Sequence, residues 1–245
     1  MKRFTVGAAV LAIAAISLVP SSATAIPVPV VGGIPVCLQV VPSDVAVTNV
    51  AKTLNVRVLL DQVTLADGEE IVARAQTAYA PLGITLNATY EGVSFTTTDS
   101  VGMIAQAKAA VGGSAPPGID LVYGLTSQDM AAGGSTAVAG QADCIGGISD
   151  DDRAFAVGEA FEDPIDLGLT FLTDFGAKVM AHELGHLLGA HHHYANCVEA
   201  APFGLLALTG DICTLMFNDL TAQRLQFSTL NGLVVRGNAQ QYAGI

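Results

Sequence analysis

The stretch HELGHLLGAHHH, residues 182–193, holds all five histidines of a 245-residue chain. On a helix, residues four apart share a face, so His182 and His186 project side by side. Two imidazoles so placed suit one zinc ion at about 2.0–2.1 Å. Glu183 directly follows the first histidine, and from there a carboxylate can lean over a metal-held water without being a ligand itself. Three residues after His186, Gly189 lets the chain leave the helix through a backbone conformation that other residues resist. The chain can then double back and present a further histidine. The spacing H-E-x-x-H-x-x-G-x-x-H selects His192, while His191 and His193 fall one position off register. Three protein ligands leave a fourth position for water, which marks a catalytic rather than a structural zinc site.

That full pattern arises by chance about once in a hundred thousand chains of this size. A passive histidine tract binds metal too, but it needs neither a base at Glu183 nor a turn at Gly189. His191 and His193 are expected to face solvent or to lie behind the ligands.

Outward from the motif, the elements alternate. Val56, Val58 and Leu60 suggest a strand, and Ile71, Ala75, Ala78 and Tyr79 recur at helical spacing until Pro81 and Gly83. Ile84 to Tyr90 alternate as a second strand, with Thr85, Asn87 and Thr89 on its polar face. Residues 100–111 read as a second helix and 119–125 as a short buried strand. Two more short strands are expected within 136–148 and 154–159, around an acidic turn at Asp150, Asp151 and Asp152. Thr173 or Asp174 begins the motif helix. This order implies an α/β domain, and no internal repeat divides it.

The chain begins MKRFTVGAAVLAIAAISLVPSSATA, a basic start, an apolar run and a small-residue Ala-Thr-Ala site. This is the pattern of a secretory signal peptide over residues 1–25. Its removal takes two of ten basic residues and none of the 22 acidic ones, so the mature charge is 8 − 22 = −14. Such a charge argues against nucleic acid or an anionic membrane surface as partner. No later run is apolar for the ~18 residues of a membrane span. The expectation is an extracellular protein, monomeric, with no membrane association after cleavage. Residues 26–50, rich in proline and valine, read as an extended lead-in or short pro-segment before a domain over 51–245. Cys37, Cys144, Cys197 and Cys213 lack any CxxC pair, and in an exported chain they suggest two disulfides with three connectivities.

The motif and its surroundings resemble the metzincin metallopeptidases, most closely the reprolysin or adamalysin-like branch. The resemblance runs from AGQADCIGGI (139–148) through AFAVGEA (154–160) and the histidine motif to Met216 in CTLMFNDL and Phe227-Ser228. It implies a mixed twisted sheet, an active-site helix and a smaller C-terminal subdomain with a methionine turn at Met216. It implies one catalytic Zn2+ on His182, His186 and His192, with Glu183 as general base in peptide-bond hydrolysis. A protein or peptide substrate would lie extended along an edge strand near residues 136–142, beside a specificity-pocket wall around Leu215 to Leu220. The chain departs from the branch at His193, where many members carry aspartate, and in lacking a cysteine after Phe227-Ser228. Cys144 is thereby left to pair with Cys37 or to stay free, whereas a Cys197–Cys213 bridge would brace the site. Asn218 stands where some other branches place a tyrosine ligand.

Two other functions compete with an endopeptidase. One is a non-catalytic adhesion or inhibitor module on the same scaffold, which would normally show a damaged motif. The other is a zinc hydrolase of a non-peptide amide. Cys37 could also ligate zinc as a thiolate and hold the enzyme latent, although no latency motif surrounds it. Calcium would have only the loose Asp150–Asp152 turn in its support.

Overall fold

The computed structural model describes residues 30–31, 33–38, 50–132, 136–160, 174–197, 213–218 and 223–244. The expected leader, residues 1–25, and residue Leu220 lie outside these. A two-residue ladder joins β1 (Val30–Val31) to β2 (Ile34–Pro35) ahead of the main body. The body begins with β3 (Lys52–Asp61), α1 (Leu65–Tyr79), β4 (Ile84–Val93), α2 (Ser100–Ala110) and β5 (Leu121–Thr126). A small hairpin of β6 (Ala131–Ala132) and β7 (Thr136–Ala137) follows, then β8 (Gly140–Ala142) and β9 (Phe155–Glu159). The motif helix is α3 (Phe175–Leu187), and α4 (Thr229–Tyr242) closes the described chain.

Five strands form one mixed sheet in the order β4-β3-β5-β9-β8. The first four are parallel, and β8 runs antiparallel to β9 at the edge. Chain direction explains where the helices go. The step from β3 to β4 runs one way across the sheet and the step from β4 to β5 runs back, so right-handed crossovers put α1 and α2 on opposite faces. The alternation along β9 agrees: Phe155 faces Lys108 of α2, whereas Gly158 faces Val179 of α3. All six residues of β5 are buried, as expected of a central parallel strand covered on both sides.

Local chemistry sets the helix starts. The Thr64 hydroxyl caps α1 by accepting the Asp67 N–H, and the Asp99 carboxylate caps α2 by accepting the Gly102 N–H at 2.9 Å. Gly83, at φ +70°, takes the chain out of the turn after α1 into β4. At α3 the expected capping residue behaves differently. Asp174 stands at the N-cap position without capping, because its carboxylate accepts Arg74 Nη1 at 2.7 Å and ties α1 to α3. Tyr79, also on α1, donates its hydroxyl to the Ala181 carbonyl at 2.8 Å. From Gly176 to Leu187 every residue of α3 is buried, so the motif sits in the core rather than on a surface helix.

All four cysteines are paired, as Cys37–Cys144 and Cys197–Cys213. The thiolate alternative for Cys37 is thereby overturned. Instead, Val36 bridges Ile145 in parallel, the Cys37 N–H donates to the Ile145 carbonyl at 2.9 Å, and the lead-in is strapped beside the end of β8. The edge strand is also shorter than the sequence suggested. Residues 136–137 fold back on β6, and only Gly140–Ala142 belongs to the sheet.

Candidate metal centre

The helical spacing brings the His182 and His186 imidazoles together, with their Nε2 atoms 3.1 Å apart. The chain then stops being helical. Gly189, at φ +88°, lets the Ala190 N–H reach back to the Gly185 carbonyl at 2.9 Å, and the strand of chain beyond reverses. His192 opens a short 3-10 turn, His192–Tyr194, and places its Nε2 3.0 Å from that of His182 and 3.1 Å from that of His186. Among the described residues this is the one group of three or more histidine, cysteine or acidic side chains arranged to hold a metal ion.

Hydrogen bonds on the far side of two rings decide what those nitrogens present. His182 Nδ1 donates to the Leu215 carbonyl at 2.7 Å, and His186 Nδ1 donates to the Ala190 carbonyl at 2.8 Å. In the neutral rings, Nε2 then carries a lone pair rather than a proton. Burial lowers the pKa of His182 to about 3, with the nearby His192 adding to the effect and the Leu215 carbonyl opposing it. Burial and the two neighbouring imidazoles push His186 well below its usual value, and burial with His193 lowers His192. The His182 and His186 lone pairs, 3.1 Å apart, repel each other unless a cation lies among them, and the His192 Nε2 completes the ring of donors at 3.0–3.1 Å. A tetrahedral zinc site with nitrogens at about 2.0–2.1 Å has edges of about 3.3 Å, so the donor set fits zinc in kind and in size.

Glu183 is buried beside this triad, and one of its oxygens, Oε2, has no hydrogen-bond partner among the described residues. Burial raises its pKa to about 8, and the Ala142 N–H of the edge strand offsets part of that rise. The strand makes room for it. An alanine Cβ at Gly140 would lie 2.7 Å from Glu183 Cγ and 2.8 Å from Oε1. Beneath the helix, the buried Met216 and Phe227 crowd Gly185, whose added Cβ would stand 3.0 Å from the Met216 sulfur. The methionine turn thus packs under the two helical histidines and supplies the Leu215 carbonyl to one of them.

The remaining sequence candidates stand apart from the triad. His191 is buried, with its backbone held by Asn231, while His193 is exposed and meets the Tyr194 ring edge-on. Asn218 is exposed, and Asp150, Asp151 and Asp152 form a solvated turn. Sequence reading missed α4 altogether. Its signal was weak: Gly232, Gly237, Asn231 and Asn238 lower helix propensity, and Ser228, which caps the helix, was read only as part of a family segment.

The mixed sheet, the core helix and the imidazole triad together define a metzincin-type zinc metallopeptidase. The chain belongs to the metallopeptidase family M12B, reprolysin-like, which it matches over residues 65–193, just over half its length. No curated protein matches it. Among solved structures it is similar to an archaemetzincin from Methanopyrus kandleri. The two are 19% identical with a TM-score of 0.51, over 77% of this chain and 96% of that one. It is also similar to an archaemetzincin from Archaeoglobus fulgidus complexed with malonate, at 15% identity and a TM-score of 0.47, over 72% of this chain and 96% of that one. The first of these likenesses concerns the fold. The family makes the protein a zinc-dependent hydrolase acting on protein or peptide substrates.

Proposed function

We propose that the protein is an exported endopeptidase in which His182, His186 and His192 hold the zinc and Glu183 is the general base. The observation that carries this is the convergence of three Nε2 atoms, two of them unprotonated by virtue of their Nδ1 hydrogen bonds, beside a buried carboxylate with one free oxygen. Zinc, when bound there, supplies a Lewis acid that polarises a carbonyl and acidifies water to a pKa near 7.

The chain's own residues then have distinct tasks. Glu183 Oε2 faces no competing donor and accepts the proton of the attacking water. Beside a bound cation the carboxyl pKa falls from its metal-free value, so that the carboxylate can take the proton and then hand it to the leaving amine. The Ala142 N–H keeps the carboxylate against the edge strand. That strand also supplies a place for substrate backbone. The Asp143 N–H donates to Phe155 and the Glu159 N–H donates to Ala139, so residues 139 and 143 turn their backbone groups toward β9. Gly140 and Ala142 form the intervening non-hydrogen-bonded pairs, so their backbone groups face the open edge. Glu183 takes the Ala142 N–H and the Gln141 side chain its C=O at 2.9 Å, which leaves the groups of Gly140 for a substrate. An extended peptide pairing with that edge would lie against the base, which suits cleavage within a chain. Residues 51–245 make up the catalytic domain, and Leu215 to Asn218 form the described part of the pocket wall expected from the family resemblance. Export is supported by the leader-like residues 1–25 and by two disulfides.

The test is Glu183→Gln in the mature protein. The variant is expected to keep one zinc per chain while casein cleavage falls at least about 10²–10⁴-fold. Cleavage at the wild-type rate would refute the assignment of the base. Zinc without peptide cleavage in the unmutated protein would instead favour a binding module.

A further inference from the structure

Ring contacts among His191, His193 and Tyr194 tie the loop that carries His192 to itself, but they do not tie it to the body of the protein. The buried face of α4 holds it, more than thirty residues further along the chain. Asn231 pairs with both backbone groups of His191: its Oδ1 accepts the N–H at 3.0 Å and its Nδ2 donates to the carbonyl at 3.2 Å. Two helical turns on, Asn238 Nδ2 donates to the Leu188 carbonyl at 2.9 Å. Three residues before Asn231, the Ser228 hydroxyl donates to the Tyr194 carbonyl at 2.6 Å. All three side chains are buried. The backbone is therefore pinned at 188, 191 and 194, on both sides of His192. Gly189 fits the same clamp, because a Cβ there would lie 2.4 Å from Asn238 Nδ2.

From this geometry we propose that Asn231 and Asn238 are positioning residues for the metal site, and that α4 pre-forms the third ligand by gripping the backbone around it. The inference rests on the reading of His192 as a ligand. His182 and His186 share one helix, which fixes their backbones, and the Leu215 and Ala190 carbonyls orient their rings. His192 hangs on a glycine turn, and without the amides its imidazole would have to be ordered at the moment of metal binding. The side-chain type matters. A carboxamide carries its donor and its acceptor on two separate atoms in one plane, a spacing that lets it meet the N–H and the C=O of one residue at once. Aspartate at 231 has the same shape but sets a second acceptor against the His191 carbonyl.

The experiment measures zinc affinity of the full mature chain by competition with a chelator, alongside the absorption spectrum of the cobalt-substituted protein. Wild type, Asn231→Ala, Asn231→Asp, Asn238→Ala and His192→Ala are compared at a temperature where circular dichroism shows each zinc-free protein folded. Losing an outer partner of a ligand typically weakens metal binding about 10–100-fold. A loss in that range is expected for both Asn231 variants, with a smaller loss of the same sign for Asn238→Ala, which removes one bond. The cobalt bands should weaken and shift as the third imidazole is displaced. A role confined to folding would lower the melting temperature of the zinc-free protein and leave affinity and spectrum as in wild type. Zinc affinity within threefold of wild type in the folded variants overturns the proposal. If Asn231→Ala does not fold, Asn238→Ala decides by the same criterion. His192→Ala separates the two layers. If it loses zinc while the asparagine variants do not, the clamp alone fails, and if it keeps wild-type affinity, the ligand reading fails and takes the clamp with it.

Discussion

Gly140→Ala adds one methyl group at the edge of the sheet, and its consequences can be followed atom by atom. The backbone at residue 140 is extended, with no positive φ, so the strand itself accepts alanine. The methyl carbon would stand 2.7 Å from Glu183 Cγ and from Val179 Cγ1, and 2.8 Å from Glu183 Oε1, whereas ordinary contact begins near 3.4 Å. The partner strand offers no relief, because Gly158 opposite already admits Val179 and the Tyr123 hydroxyl into the same space. Glu183 must therefore retreat by about 0.7 Å or rotate away from the Ala142 N–H. A displacement approaching 1 Å in a reacting group costs about 10²-fold in rate. Peptide cleavage by Gly140→Ala should thus lose kcat by about that factor while KM changes little and zinc content stays at the wild-type value. Steady-state kinetics on a quenched peptide, with metal analysis of the same preparation, is the assay. A kcat within threefold of wild type in zinc-loaded protein would refute the reasoning that this glycine seats the base.

Two further outcomes follow from burial and from chain connectivity. In the zinc-free protein the depressed pKa values of His182 and His186 mean that the unfolded chain binds protons below about pH 6.5 that the folded chain refuses. Each costs about 1 kcal/mol per pH unit, while Glu183, raised to about 8, gives stability back by holding a proton in the folded state between about pH 8 and 4.5. His191, lowered to about 4, and His192, also lowered, act in the same direction as the other two histidines. Stability should therefore peak near pH 6–7 and fall by more than about 1 kcal/mol per unit toward pH 5, and urea unfolding at several pH values checks this, with a monotonic rise into acid counting against it. Replacing Cys37 and Cys144 by serine opens a link across a sequence separation of 107 residues. Unfolding free energy should fall by about 2–5 kcal/mol, and an unchanged urea midpoint would show that the lead-in contributes nothing to the folded unit.

Much of the site was legible before any fold was known. Helical spacing alone put His182 and His186 on one face, and the φ +88° turn at Gly189 is the conformation for which a glycine at that position was read. The element order was legible too, since Ile84–Tyr90 and 119–125 carry the alternation and the apolar run that strands need. What was not legible depended on distant partners. Nothing local in residues 136–142 separates the hairpin strand from the sheet edge, because the choice is made by β6 on one side and β9 on the other. Asp174 looks like a cap from its neighbours and becomes an ion-pair partner only because Arg74, 100 residues earlier, reaches it.

The sequence by itself therefore determined the identity and order of the candidate ligands, the candidate base beside them and the class of chemistry they suit. Those follow from rise and turn per residue, which the covalent chain carries wherever it lies. Only the tertiary structure decided that Leu215 and Ala190 orient two of the imidazoles, that Gly140 and Ala142 are the edge facing Glu183, and that α4 grips the loop of His192. Each of these needs a backbone group brought to within about 3 Å of a particular atom, and such approaches are set by how sheet and helices pack, not by spacing along the chain.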